Sequence, residues 1–143
     1  MDDHYAPRPV AGWYMVGAAA SLLFMALGCA ALVVHLTTDP SSLALDQRAL
    51  FEAEPSWVLD ASGVGFLAGL AGGVLLVMRR KAAVTAMLVS LGGIGLWFAG
   101  MFATPSFRDL LSTDQIAIAL AVLAITWTIF WFARHSRQRG WLR

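Results

Sequence analysis

Two ionisable residues at the margins of apolar segments are the strongest candidates for chemistry in this sequence. His35 lies near the end of the first apolar segment, and Asp60 lies near the start of the second. If these segments span a membrane, a charged side chain there is costly and indicates a function. A His–Asp pair can exchange protons near neutral pH, and Arg48 is a candidate third member of this polar cluster. The alternative is that the residues are unrelated and each reaches water at the interface.

Other patterns that carry chemistry are missing from the sequence. It has no closely spaced histidine pair, no paired carboxylates inside an apolar segment and no Gly-Lys-Ser/Thr loop. The only cysteine, Cys29, permits neither an internal disulfide nor a thiolate cluster, and it is expected to behave as a small apolar residue. We therefore predict no catalytic site, no metal site and no cofactor, and a protein that is not an enzyme.

The elements that carry these residues follow from composition. Of the 143 residues, 59% are hydrophobic and 13% are charged, whereas soluble domains have about 45–50% and about 25%. Continuous apolar runs without alternation favour helices over barrel strands. The sequence predicts one all-α domain, 1–143, a bundle of four transmembrane helices of about 20 residues each. Their predicted bounds are 11–36, 57–78, 82–103 and 114–134.

The first loop between the predicted spans indicates a further helix. Asp39 and Pro40 suit the N-cap and first position of a helix, and Pro55 ends it. One side of the segment is formed by Leu43, Gln47, Leu50 and Glu54, with Phe51 adjacent. This weakly amphipathic pattern predicts a short interfacial helix.

Basic residues predict the orientation of the chain. One side of the predicted topology has eight, namely Arg8, Arg79, Arg80, Lys81, Arg134, Arg137, Arg139 and Arg143, against Arg48 and Arg108 on the other. By the positive-inside rule, both termini are cytoplasmic, and we expect a multi-pass protein of a bacterial inner membrane. Basic residues outside the bilayer are too few for a nucleic-acid partner.

The same basic residues are candidate lipid anchors. Arg79, Arg80, Lys81, Arg134, Arg137 and Arg139 lie just beyond predicted spans, where attraction to anionic lipid contributes about 1 kcal/mol per residue. The alternative for the basic, aromatic segment FWFARHSRQRGWLR is a docking site for a cytoplasmic protein.

A helix-packing interface is predicted on the second transmembrane helix. Ala61, Gly65, Gly69 and Gly73 recur every four residues, and such small residues let another helix approach closely in lipid. Two interpretations remain open. The face packs inside the bundle, with the Gly92–Gly95 cluster of the third helix as its candidate partner, or it contacts a second copy or another membrane protein.

Three stretches resemble a family of small, mostly uncharacterised bacterial inner-membrane proteins, some of whose members are loosely labelled sugar transporters. They are TTDPSSLALDQRALFEAEPSW, LAGLAGGVLLVMRRKAAVTAMLVSLGG and WFARHSRQRGWLR. The resemblance implies the four-helix topology. Members have Trp-Asn and Asp-Tyr pairs in the first helix, where this chain has Phe24-Met25 and Ala31-Leu32. That departure weakens a transport function.

These features favour a non-enzymatic accessory subunit. It would associate with itself or with a larger membrane complex through the glycine face of the second helix. The alternative is a small oligomeric transporter of a sugar-type solute, in which a dimer encloses the path. A third hypothesis is an envelope sensor that uses the acidic outer loop and His35.

Overall fold

The structure is a computed structural model that describes residues 9–143, and Arg8, one of the basic residues used to predict the orientation, lies outside the described residues. This part of the chain contains six α-helices and no strand. They are α1 (Tyr14–Thr37), α2 (Leu45–Ala53), α3 (Ser56–Val77), α4 (Ala82–Ala103), α5 (Pro105–Arg108) and α6 (Thr113–Gln138).

Four of these helices are long and apolar enough to cross a bilayer: α1, α3, α4 and α6. The predicted all-α class with four membrane-spanning segments is therefore confirmed, on length and composition, within residues 9–143. The bounds of α4 coincide with the predicted 82–103, whereas α6 continues beyond residue 134 to Gln138. The basic residues that follow the apolar run of α6 are good helix formers, and Gly140, with φ 73°, ends the helical path.

Neighbouring long helices pack in chain order: α1 against α3, α3 against α4, and α4 against α6. The α3–α4 contact is the tightest, because glycines meet there. A methyl group on Gly93 would lie 2.6 Å from the backbone nitrogen of Gly65 and 2.8 Å from the carbonyl oxygen of Ala61. Close backbone approach of this kind is how membrane helices gain packing energy.

The first and last long helices meet at one end of the bundle only. At the end that carries the turn at residues 78–81, here called the turn end, the ring of Tyr14 lies 5.5 Å from that of Phe132, and Trp13 contacts Trp141. The Tyr14 hydroxyl donates to the Leu76 carbonyl oxygen at 2.6 Å. Along the rest of their length, α1 and α6 are not a closely packed pair. They therefore diverge toward the opposite end, here called the α2 end.

The short helices α2 and α5 lie at the α2 end. The start of α2 differs from the prediction. Asp39 does cap a turn, since its carboxylate accepts from the Ser41 backbone N–H at 3.0 Å. That turn is only a 3₁₀ segment, Pro40–Ser42, and the chain then extends through Leu43 and Ala44 before α2 begins. The helix therefore does not start at Asp39, because the backbone leaves the helical region after three residues.

The ends of the long helices are closed by recognised capping motifs. Ser112 and Gln115 form a reciprocal capping box at the start of α6. At the turn end, α3 and α6 each close with a paired pattern of backbone bonds around a residue of positive φ, Arg79 and Gly140 respectively. Arg79 is the unusual member, because side chains disfavour this conformation.

Candidate functional site

An apolar cavity opens at the α2 end, between the diverging parts of α1 and α6. Its volume is about 440 Å³, within the range of about 300–1,000 Å³ that is typical of small-molecule sites. Its wall includes four aromatic side chains, Phe51, Phe66, Trp97 and Phe107. The polar side chains in the wall are those of His35, Gln47, Glu54, Ser62 and Gln115. The cavity thus combines a mainly apolar wall with a few convergent polar groups.

One face of α2 forms part of this wall. Gln47, Leu50, Phe51 and Glu54 all line the cavity, and their spacing of three and four residues places them on one side of a helix. Three of these residues belong to the side that the sequence assigned to a membrane interface, and Phe51 is the adjacent one. In the structure this side faces the bundle, so α2 is packed over the cavity.

A close contact between a histidine and a glutamate lies in the cavity wall. The Nε2 atom of His35 is 2.9 Å from a carboxylate oxygen of Glu54, and the Glu54 side chain is only 12% exposed. The His35 ring also stacks on Phe51, with 4.5 Å between ring centroids. Burial raises the pKa of the Glu54 carboxyl, and attraction to His35 lowers it in part. The net raised pKa means that the charged carboxylate is held in a poorly hydrated place.

The three residues of the predicted polar cluster are not brought together. His35 pairs with Glu54, and Arg48 pairs with Glu52 on the exposed side of α2 at 2.8 Å. Asp60 is exposed and lines a different groove, between α3 and α4. The partner of His35 is Glu54, a residue that the sequence did not place in the predicted polar cluster. Its only signal was its place on the amphipathic side of α2.

The predicted glycine face of the second transmembrane helix is covered by the chain's own helices. Gly65, Gly69 and Gly73 are buried. A methyl group on Gly65 would lie 2.9 Å from Ile94 of α4, and one on Gly73 would lie 2.9 Å from the Leu22 backbone of α1. The sequence left open whether this face packs inside the bundle or against another protein. In the structure, these three glycines pack inside the bundle.

A second groove runs along the outside of α3 and α4. Its wall includes Asp60, Ala61 and Val64 of α3 and Val89, Gly92 and Leu96 of α4. A methyl group on Gly92 would meet no atom within 4 Å, whereas the adjacent Gly93 faces α3. The predicted glycine cluster of the third span therefore has two environments: Gly93 packs against α3 inside the bundle, and Gly92 lies on the outer surface. Ala61 is the member of the predicted interface that borders this open side.

The basic residues at the turn end have two kinds of environment. Arg80, Lys81, Arg134, Arg137 and Arg139 are exposed. The half-buried Arg79 instead donates from Nε to the Trp141 carbonyl oxygen at 2.9 Å.

The last residues form a clasp against the turn. The Arg143 backbone N–H donates to the Arg79 carbonyl oxygen at 2.6 Å, and the Lys81 N–H donates to the Arg143 carbonyl oxygen at 2.9 Å. Trp141 and Leu142 are buried beneath this clasp. Of the aromatic residues in the segment FWFARHSRQRGWLR, Phe132 and Trp141 are therefore packed inside the protein, whereas Trp131 is 56% exposed.

Polar groups within the spans are mostly bonded locally. The hydroxyls of Ser21 and Thr126 donate to carbonyl oxygens one turn earlier in their own helices, as is usual for hydroxyls in helices. Within residues 9–143, no three side chains of His, Cys, Asp or Glu come together in a way that could hold a metal ion.

Comparison with protein-family models, with curated proteins and with solved structures gave no match for this chain.

Proposed function

We propose that the protein is a non-enzymatic membrane protein that acts as an accessory subunit, associating with a second copy or with another membrane protein. The observation that carries the proposal is the open groove between α3 and α4. Gly92 leaves space there for a partner helix, and Ala61 borders the same groove. Small residues on an outer helix surface favour such association in lipid. The predicted Gly65, Gly69 and Gly73 already pack inside the chain, so the proposed contact uses the outer groove that Ala61 and Gly92 border.

Asp60 supports association on this side of the molecule. It is an exposed acid in an otherwise mainly apolar groove, and it has no ion-pair partner among residues 9–143. A carboxylate on a membrane helix is stabilised by a basic or hydrogen-bonding group. A partner helix with such a group near its end would complement Asp60 while it packs against Gly92.

The proposed location is a bacterial inner membrane, with the turn end in the cytoplasm. The support is the asymmetry of basic residues, since seven of those described lie at the turn end, and two, Arg48 and Arg108, lie at the α2 end. In this orientation the exposed Arg80, Lys81, Arg134, Arg137 and Arg139 lie beside anionic lipid, and α2 lies at the outer interface.

Site-specific photocross-linking tests the association. Leu96 in the groove and Leu23 on α1 are 59% and 61% exposed, so they are matched positions for p-benzoyl-L-phenylalanine. Irradiation of intact membranes should give discrete protein adducts from position 96, because a partner helix lies there, and none from position 23, which faces lipid. The same adducts from both positions, or none from position 96, would contradict the proposed face.

A second candidate function is a small membrane transporter, and the cavity favours it. Four helices are few for a transport path, so this candidate needs an oligomer, as the first one does. The mainly apolar wall suits an apolar or amphipathic solute better than a sugar, because a sugar needs many hydrogen-bond partners once it is removed from water. Uptake into proteoliposomes would favour this candidate over a purely structural role.

A further inference from the structure

The cavity at the α2 end has the chemistry of a ligand site that is independent of the association groove. Its wall contains residues of all six helices, whereas the groove is lined by α3 and α4 alone, and no residue lines both. The exposed Ile118 belongs to its wall, so the cavity borders the outside of the bundle beside α6. A ligand that partitions into the bilayer has a short path to it.

The polar and aromatic groups of the wall favour a ligand with a positive charge. The Glu54 carboxylate is largely shielded from water, and the imidazole of His35 lies 2.9 Å from it. Phe51, Phe66, Trp97 and Phe107 supply aromatic surfaces. Aromatic faces attract cations through their quadrupole, and the attraction is strongest where water is excluded. A shielded carboxylate beside aromatic side chains is suited to an organic cation.

The charges around the cavity favour the same sign of ligand. The chain segments at the α2 end, 38–60 and 104–114, carry seven acidic residues and two arginines. The acidic residues are Asp39, Asp46, Glu52, Glu54, Asp60, Asp109 and Asp114. The resulting negative potential attracts cations and repels anions. A fatty acid or an anionic headgroup is therefore disfavoured at this end.

We propose that the cavity binds a lipophilic organic cation, a mainly apolar or aromatic molecule with a single positive charge, which pairs with the Glu54 carboxylate. Its apolar body would lie against Phe66, Trp97 and Phe107. The volume of about 440 Å³ accommodates a molecule of this type. The site requires neither the accessory function nor an oligomer, since every group named belongs to one chain.

Binding of such a cation competes with protons. The titratable groups that face the cavity are His35 of α1 and Glu54 at the end of α2, and the wall residues from α3, α4, α5 and α6 are not titratable. Burial raises the pKa of Glu54, so its carboxylate becomes fully available only above the ordinary range for a glutamate. Affinity should therefore increase as the pH rises.

The experiment uses the full chain in an uncharged detergent, with tetraphenylphosphonium as the probe and isothermal titration calorimetry as the readout. The wild type should bind it saturably at one site per chain, more tightly at pH 8 than at pH 5. Glu54→Gln should weaken binding by about tenfold or more, because the desolvated charge partner is lost. Glu54→Asp should retain binding in part. Glu52→Gln is the matched control, since Glu52 lies on the exposed side of α2, and it should bind as the wild type does.

Tetraphenylborate, which has nearly the same shape and the opposite charge, makes the test decisive. If it binds as tightly as tetraphenylphosphonium, the cavity does not select cations and the proposal is overturned. Equal affinity of the wild type and Glu54→Gln for the cation would also overturn it. Should Glu54→Gln fail to fold, the comparison of the two probes on the wild type still decides. Gly92→Trp should leave binding unchanged, so failure of the proposed association does not affect this result.

Discussion

His35 and Glu54 form a close pair in the cavity wall, with 2.9 Å between Nε2 of His35 and a carboxylate oxygen of Glu54. An ionisable side chain at the end of an apolar segment is recognisable without a structure, because its burial is costly. Its partner is not recognisable, because Glu54 and Asp60 both lie at the same end of the bundle. The choice depends on how α2 folds back and how α3 is rotated about its axis. In the structure, Glu54 reaches His35, and Asp60 lies in the outer groove.

Glu54 should make the stability of the protein depend on pH. Burial raises the pKa of its carboxyl in the folded state. Its contribution to stability is therefore present below the ordinary pKa of a glutamate, about 4.3, and is lost as the pH rises through the raised value. Glu54→Gln is neutral throughout. Its thermal midpoint relative to that of the wild type should rise with pH across this window, as measured by differential scanning fluorimetry in detergent.

Glu52→Gln is the control for this measurement. Glu52 is on the same helix and is 56% exposed, and its exposed ion pair with Arg48 contributes little to stability. The thermal midpoint of Glu52→Gln should therefore stay close to that of the wild type from pH 4 to pH 8. A difference between Glu54→Gln and the wild type that is also constant from pH 4 to pH 8 would show that Glu54 is well hydrated. The Glu54 carboxylate would then be open to water and not shielded in the cavity wall.

The long helices are predictable as elements because the bilayer imposes both their length and their apolar composition. The α4 bounds follow from this requirement together with the basic turn before it and Thr104-Pro105 after it. The short α5 and the 3₁₀ turn at Pro40–Ser42 were not predicted, because segments of three or four residues have no periodicity. The spacing of Gly65, Gly69 and Gly73 predicts a packing face, and only the structure identifies α1 and α4 as the elements that cover it.

Two glycines of α4 test the contact between α3 and α4. Gly93→Ala places a methyl group 2.6 Å from the backbone of Gly65, and because backbone cannot give way cheaply, we expect a loss of about 1–3 kcal/mol. Gly95 has no atom within 4 Å of an added methyl group. Gly95→Ala should therefore be neutral or stabilising by up to about 1 kcal/mol. Reversible unfolding in mixed micelles with increasing SDS measures both changes.

A smaller effect at position 93 than at position 95 would be incompatible with the close approach of α3 and α4. The comparison is internal, because both substitutions add one methyl group to the same apolar helix. It therefore separates the tertiary contact from the intrinsic helix propensity of glycine.

The two ends of the whole molecule differ in how closely α1 and α6 pack. At the turn end, Tyr14, Phe132 and Trp141 join α1 to α6, and the clasp at Arg143 covers the turn. At the α2 end, the same helices diverge around the cavity. This arrangement leaves the groove beside Gly92 as an open surface for a partner, and it keeps the candidate ligand site on the other side of the bundle.

Native mass spectrometry of the protein, extracted gently from its own membrane, tests the proposed association most directly. We expect an assembly heavier than the single chain of 15.4 kDa, either a multiple of that mass or a complex with another protein. Gly92→Trp should reduce it to the monomer, because the side chain fills the groove, whereas Leu23→Trp, on the exposed side of α1, should leave it intact. A wild-type protein recovered only as a monomer, or an assembly that survives Gly92→Trp, would contradict the proposed function.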